Sequence, residues 1–255
     1  MINKKVILSA LCCIMLSVSV NINSQTKVIA HRGYWDCEGS AQNSIAALNK
    51  AHEIGVYGSE FDVIITPDGV PVVNHDDVIE GMRIEDTPYE RIKDLKLKNG
   101  ETLPTLEQYL IAGKANEGTQ LILEIKPHRE KVNEDRAVAA TLALVTKYNL
   151  QKQVEYISFS MNICKELLRQ SPESQIAYLE GELSPKEIKE IGLTGIDYHY
   201  SVFEKHPDWI IEAKSLGLSI NAWTVNDPLI MKTLIDQQVD FITTDKPVEA
   251  QALLR

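Results

Sequence analysis

Cysteine is scarce and poorly placed for chemistry. Of the four cysteines, Cys12 and Cys13 fall in the first 24 residues, and Cys37 and Cys164 stand far apart without C-x-x-C spacing. That spacing argues against a thiolate zinc site or a thioredoxin-type redox centre, and the two remaining cysteines read as free structural thiols. Positive charge is also short. The chain has 26 Lys and Arg against 36 Asp and Glu, a net charge of −10, and no basic stripe. Such a surface repels a phosphate backbone, which excludes DNA or RNA as a partner. The 13 glycines form no G-x-G-x-x-G loop after the first apolar run, which weakens a dinucleotide-binding reading. No low-complexity stretch or long linker divides the chain.

Long apolar runs are missing too, with one exception at the N-terminus. Lys4 and Lys5 precede an uncharged, mostly apolar run from residue 6 to residue 20, which ends in Asn21, Asn23 and Ser24. This is the pattern of a secretory signal peptide, and the run is shorter than the roughly 20 residues a spanning helix needs. The expectation is a signal peptide over residues 1–24, cut after Ser24, and a mature domain over 25–255. It would be carried across the inner membrane to the periplasm, with no stable membrane insertion after cleavage. Losing two lysines and no acids takes the net charge from −10 to −12.

What is present is a regular alternation. Short apolar runs at 27–30, 58–65, 119–125, 154–159, 175–179, 195–198, 218–223 and 241–243 predict eight strands. Helical patterns lie between them at 43–54, 134–148, 162–170, 207–216, 228–237 and 247–254, several opened by a cap or proline such as Asp227-Pro228. Strands separated by helices imply parallel βαβ units. The length of 255 residues and the strand count favour an α/β (β/α)8 TIM barrel over an open sheet. One segment breaks the rhythm. Asp68-Gly69 predicts a turn, 70–74 a short extended piece, and 75–103 a polar, turn-rich insertion after the second strand. In a barrel it would lie over the C-terminal mouth, where active sites form.

The chemistry concentrates on strand ends. In Glu60-Phe61-Asp62-Val63 the carboxylates share one face of a strand, and the apolar pair shares the other. The apolar pair suits the helix layer, so Glu60 and Asp62 are expected to point into the barrel. Two like charges so close call for a cation, and oxygen ligands suit Ca²⁺ or Mg²⁺. The alternative is a solvated or lysine-paired couple. Leu123-Glu124-Ile125-Lys126 repeats the design, adding a third carboxylate and a positive charge fit for a phosphate oxygen, the alternative being a Glu124–Lys126 ion pair inside the barrel. His31 follows the first strand beside Gly33, and His75 ends the hairpin. Two imidazoles can act as base and acid in cleaving a phosphodiester. His52, His128, His199 and His206 read as structural or surface residues, His199 being the first to reconsider.

Together these segments resemble the glycerophosphodiester phosphodiesterase family. The matching residues are His31-Arg32-Gly33, Asn43-Ser44, Glu60-Phe61-Asp62-Val63, Thr66, Asp68-Gly69, Val72-Val73, His75-Asp76 and Glu124-Ile125-Lys126. Asn221-Ala222-Trp223-Thr224-Val225 and Thr243-Thr244-Asp245-Lys246-Pro247 resemble its C-terminal segments. The resemblance implies a metal-dependent hydrolase that releases glycerol phosphate and an alcohol. His31 and His75 would be the acid–base pair, and Glu60, Asp62 and Glu124 would hold one divalent cation, Ca²⁺ or Mg²⁺. Arg32 and Lys126 would contact the phosphate, and Trp223 would line the pocket for the alcohol part or belong to the core. The family's P-E-N-T is Ala41-Gln42-Asn43-Ser44 here, so Gln42 meets substrate or metal with an amide where the family has a carboxylate. Two other readings fit the same residues: a phospholipase C or D acting on phospholipid or lysophospholipid, and a non-catalytic phosphodiester-binding barrel. The mixed composition of 77–103 favours a small soluble substrate. Oligomeric state is left open.

Overall fold

The computed structural model describes residues 25–255, so the segment read as a signal peptide lies outside the described residues. The strands are β1 (Lys27–Ala30), β2 (Gly58–Ile65), β3 (Pro71–Val73), β4 (Val78–Ile79), β5 (Met82–Arg83), β6 (Gln120–Ile125), β7 (Val154–Ser158), β8 (Ile176–Tyr178), β9 (Gly195–His199), β10 (Ser219–Trp223) and β11 (Phe241–Thr244). The helices are α1 (Ile45–Glu53), α2 (Leu106–Ala115), α3 (Lys131–Tyr148), α4 (Met161–Gln170), α5 (Pro185–Ile191), α6 (Tyr200–Lys205), α7 (Asp208–Ser215), α8 (Pro228–Asp236) and α9 (Pro247–Leu253).

Strands β1, β2 and β6 to β11 are parallel neighbours, and β1 pairs with both β2 and β11, which closes a (β/α)8 barrel. All eight expected strands form within a residue or two of their predicted bounds. Side chains alternate between two layers. Phe61 stacks on Tyr109 of α2 with ring centroids 4.2 Å apart, so the apolar face of β2 meets the helix layer. The opposite faces of β1, β6 and β7 bring Ile29, Ile122 and Ile157 together with Leu179 in a buried plug beneath the mouth. That arrangement sends Glu60, Asp62 and Glu124 inward above the plug.

Three helices went unpredicted: α2, α5 and α6. Helices α2 and α5 open on capping boxes, Thr105 with Gln108 and Ser184 with Glu187, so their sequence signal lies in the cap. Helix α6 has only six residues, too few to display an apolar period.

The insertion forms as expected. Gly69 takes φ +88, Thr66 Oγ1 donates to Asp68 Oδ1 at 2.6 Å, and Val70 N donates to Thr66 Oγ1 at 3.0 Å. This turn folds β3 back antiparallel on β2, with Val73 opposite Val63. The β4–β5 hairpin and two 3-10 turns follow, and Glu85 and Asp86 pair with Arg129 in the β6–α3 loop. Among the described residues, Cys37 and Cys164 are free thiols. Among the described residues, no helix is long and apolar enough to cross a membrane.

Candidate active site

The site is built at the C-terminal ends of the barrel strands. Register places Asp62 beside Glu124 on the neighbouring strand, with Glu60 two residues below Asp62 on the same face. Each of the three carboxylates offers an oxygen within 4.8 Å of the other two, and all are buried. Lys126 Nζ bridges the pair from above, 2.9 Å from Glu124 Oε1 and 3.3 Å from Asp62 Oδ1. One ammonium and a more distant guanidinium, with Arg32 Nε 3.8 Å from Asp62 Oδ2, face three carboxyl groups.

The imbalance shows in their ionisation. Burial, then the charges of Asp62 and Glu124, push Glu60 well above the usual carboxylate range. Burial and the Asp62 charge push Glu124 up to about 8, against the pull of Lys126. Burial opposes ionisation of Asp62 as well, but Lys126, His75, Asn43 and Arg32 outweigh it and hold that group low. Burial in itself lowers the pKa of Lys126, yet the carboxylates raise it above its ordinary value. A cluster in which two of three carboxyls resist ionisation for want of positive charge suits a hard divalent cation.

The β1–α1 loop wraps this cluster. Arg32 and Asn43 both adopt left-handed backbone, φ +54 and φ +61. The strain has visible compensation. Arg32 N donates to Glu60 Oε2 at 2.8 Å, while Asn43 Nδ2 donates to Asp62 Oδ2 at 2.9 Å and Asn43 Oδ1 accepts from Asp62 N at 3.2 Å. Gly33 has φ +77 and lies so close to α1 that a Cβ there would sit 2.5 Å from Ala47 Cβ. Gln42 accepts from Arg32 Nη1 at 2.9 Å, so the amide holds the guanidinium in place.

The two histidines reach the cluster by different routes. His31 follows β1 directly, and its Nδ1 lies 2.8 Å from Asp245 Oδ1, one residue past β11. Burial would raise the Asp245 carboxyl, but hydrogen bonds from His31, Asn226 and Trp35 outweigh it and hold the group at about 2. The carboxylate therefore stays ionised and fixes the ring's Nδ1 proton, leaving Nε2 for the cleft. His75 arrives on the hairpin return, where Asn74 N still donates to Asp62 O at 3.0 Å. Its Nδ1 lies 2.8 Å from Asp76 Oδ1. Burial, partly offset by Asp62, lowers the His75 pKa from its ordinary value.

His31, Arg32, Glu60, His75, Glu124, Lys126 and Trp223 line one cleft, so every expected site residue except Asp62 and Gln42 borders it directly. Asp62 lies beneath, held by Asn43, and Gln42 lines the neighbouring cleft. Trp223 lines the mouth and is not sealed in the core. Its Nε1 donates to Asp197 O at 2.8 Å, and it meets His199 and Phe159 edge to face. His199 thus buttresses Trp223 and bonds Ser201 through Nδ1 at 2.7 Å. His52 bonds Thr119, His128 accepts from Ile65 N, and His206 stacks on Trp209, all structural roles. Asn43, Asp76 and Asp245 fall within the matched segments but carry no role assigned from sequence, and Asn226 was not singled out. Asp245 was within reach, since it continues the inward alternation of Phe241 and Thr243.

Comparison with known proteins agrees with this geometry. The profile of the glycerophosphoryl diester phosphodiesterase family matches residues 31–249. A crystal structure of a glycerophosphodiester phosphodiesterase from Parabacteroides distasonis is 53% identical, superposes with a TM-score of 0.90, and the match covers 91% of this chain and 97% of that one. A phosphodiesterase from Oleispira antarctica, solved in complex with the product sn-glycerol-3-phosphate, is 26% identical with a TM-score of 0.78, over 90% of this chain and 97% of that one. The glycerophosphodiester phosphodiesterase of Caldanaerobacter subterraneus is 29% identical over 247 residues, 91% of this chain and 98% of that protein. The chain belongs to the glycerophosphoryl diester phosphodiesterase family and is an enzyme of that class.

Proposed function

We propose that this enzyme hydrolyses small glycerophosphodiesters to glycerol phosphate and an alcohol, with His31 and His75 as the proton-transfer pair and a divalent cation, Ca²⁺ or Mg²⁺, at Glu60, Asp62 and Glu124. The observation that carries the reading is the pair of imidazoles in one cleft, each tethered at Nδ1 by an aspartate, beside a charge-deficient carboxylate cluster. The product bound to the Oleispira relative supports glycerol phosphate as the product here.

When bound, the cation supplies positive charge to the phosphate and any coordinated hydroxyl. The chain's own residues do the rest. Lys126 would offer its ammonium to a phosphate oxygen, and Arg32 a second positive contact. One histidine takes the proton from the attacking oxygen, water or the neighbouring glycerol hydroxyl. The new P–O bond forms as the P–O bond to the alcohol breaks, and the other histidine donates a proton to the departing oxygen. Attack by the glycerol hydroxyl gives a cyclic phosphate that water then opens.

The large exposed apolar residues support a soluble substrate over a phospholipid. Among the described residues Ile111, Val132, Ile211, Leu229, Val248 and Leu253 are scattered on outer helices, and Val78 alone lies in the insertion over the mouth. The basic and apolar N-terminal segment supports export to the periplasm. His31→Ala and His75→Ala are each expected to lower kcat by about 10²- to 10⁴-fold with the circular dichroism spectrum unchanged. Full turnover in either variant refutes the pair.

A further inference from the structure

Two clefts open at the barrel mouth, and the reaction described above occupies one of them. The cleft over the carboxylates holds about 100 Å³. Beside it, between the β1–α1 loop and the insertion, lies a second of about 420 Å³. The larger falls within the range of about 300–1,000 Å³ usual for small-molecule pockets, and the smaller does not. His75 lines both. His75 thus joins the two clefts, which gives a diester held at His31 and His75 a route for one ester arm into the larger cleft. On that placement the alcohol would lie against a wall other than Trp223, which lines the smaller cleft.

That wall has a definite chemistry. Lys96 and Lys98 line it with Gln42, Asn74 and Trp35. Among the described residues neither lysine has a carboxylate within 4.0 Å, and residues 1–24 contain no acid that could supply one. Among the described residues the one carboxylate lining the cleft, Asp76, is already bonded to His75. The lysines are displayed from a tight hairpin in which Lys96 pairs with Thr102, Leu97 N donates to Glu101 O at 2.8 Å, and Gly100 turns the chain at φ +86. This hairpin is clamped to the opposite wall. Glu101 accepts from Ile45 N at 3.0 Å and Ala46 N at 3.1 Å at the start of α1, and Asn99 Nδ2 donates to Gly39 O at 3.3 Å. Two exposed lysines without a carboxylate partner among the described residues thus line a pre-formed cavity. A single tryptophan does not make the aromatic cage that quaternary ammonium groups require.

We infer that the larger cleft binds the alcohol half of the diester, and that Lys96 and Lys98 select alcohols bearing an anionic group, a carboxylate or phosphate, over cationic ones. The inference rests on the phosphodiesterase reading above. The test is a charge series of small esters: glycerophosphoglycerate, glycerophosphoglycerol and glycerophosphocholine, assayed at low salt with wild type and Lys96→Gln/Lys98→Gln. Expected is a kcat/KM order of anionic over neutral over cationic, spanning about tenfold or more, that contracts to within about twofold in the double variant and shrinks with added salt. A flat or reversed order in wild type, or an order unchanged in the variant, overturns the head-group assignment while leaving hydrolysis intact. Absence of turnover for all three esters refutes the phosphodiesterase reading itself, and the head-group assignment with it.

Discussion

Replacing Asp197 with Asn should make the enzyme more stable as pH rises from about 4, with the full gain reached above about 7. Asp197 is an inward-facing residue of β9, 2% exposed, with Oδ1 lacking any partner. Its register neighbour on β10 is Asn221, whose Oδ1 also lacks a partner. Burial raises the Asp197 carboxyl from the usual 3.8 to about 7, only partly opposed by the Asn221 amide. A raised acid pKa means the folded state holds the proton longer than the unfolded chain does. The stabilisation is complete below the unfolded value, declines as the unfolded chain ionises, and is gone once pH passes the folded value. The interval corresponds to about 4 kcal/mol of folding stability lost between pH 4 and pH 8. An amide of the same shape cannot ionise and can donate to the vacant Asn221 oxygen. Urea unfolding of wild type and Asp197→Asn across this range should therefore give curves that coincide near pH 4 and diverge to about 3–4 kcal/mol in the variant's favour at pH 8. A difference independent of pH, or a variant less stable at pH 8, refutes the reasoning.

Two further outcomes follow from the site. Asp245 fixes the His31 ring without facing substrate, so Asp245→Asn is expected to lower kcat by about 10- to 100-fold with little change in KM. A proportionate rise in KM instead would show that the carboxylate acts in binding. Gly33→Ala puts a methyl 2.5 Å from Ala47 Cβ at φ +77, for which about 3 kcal/mol of destabilisation and a Tm drop of roughly 6–12 °C are expected by calorimetry. An unchanged Tm would mean that the β1–α1 loop is not held as described.

The barrel was legible because its strands are short apolar runs set apart by turn residues, and because β2 carries Glu60 and Asp62 at a spacing of two while β6 carries Glu124 two residues before Lys126. That alternation was enough to turn Glu60, Asp62 and Glu124 to one side, since Phe61 and Ile125 need the helix layer. Helices α2 and α5 were less visible, as their signal is a four-residue cap at Thr105 and Ser184. The partners of the site were hidden for another reason. Asp245 is 214 positions from His31, and only closure of β11 on β1 brings them together. Asn43 is next to Gln42 in sequence, yet its role depends on a left-handed backbone that folds the loop onto Asp62. The clamp of Glu101 on α1 likewise joins segments 55 and 56 residues apart, and no local pattern announces it.

The most direct test of the account is release of glycerol phosphate from glycerophosphoglycerol by protein stripped with a chelator and then titrated with Ca²⁺ or Mg²⁺. Stripped enzyme should be inactive, one equivalent of a divalent cation should restore turnover, and Glu124→Gln should require far more cation to recover. Full release of glycerol phosphate after exhaustive chelation would contradict it.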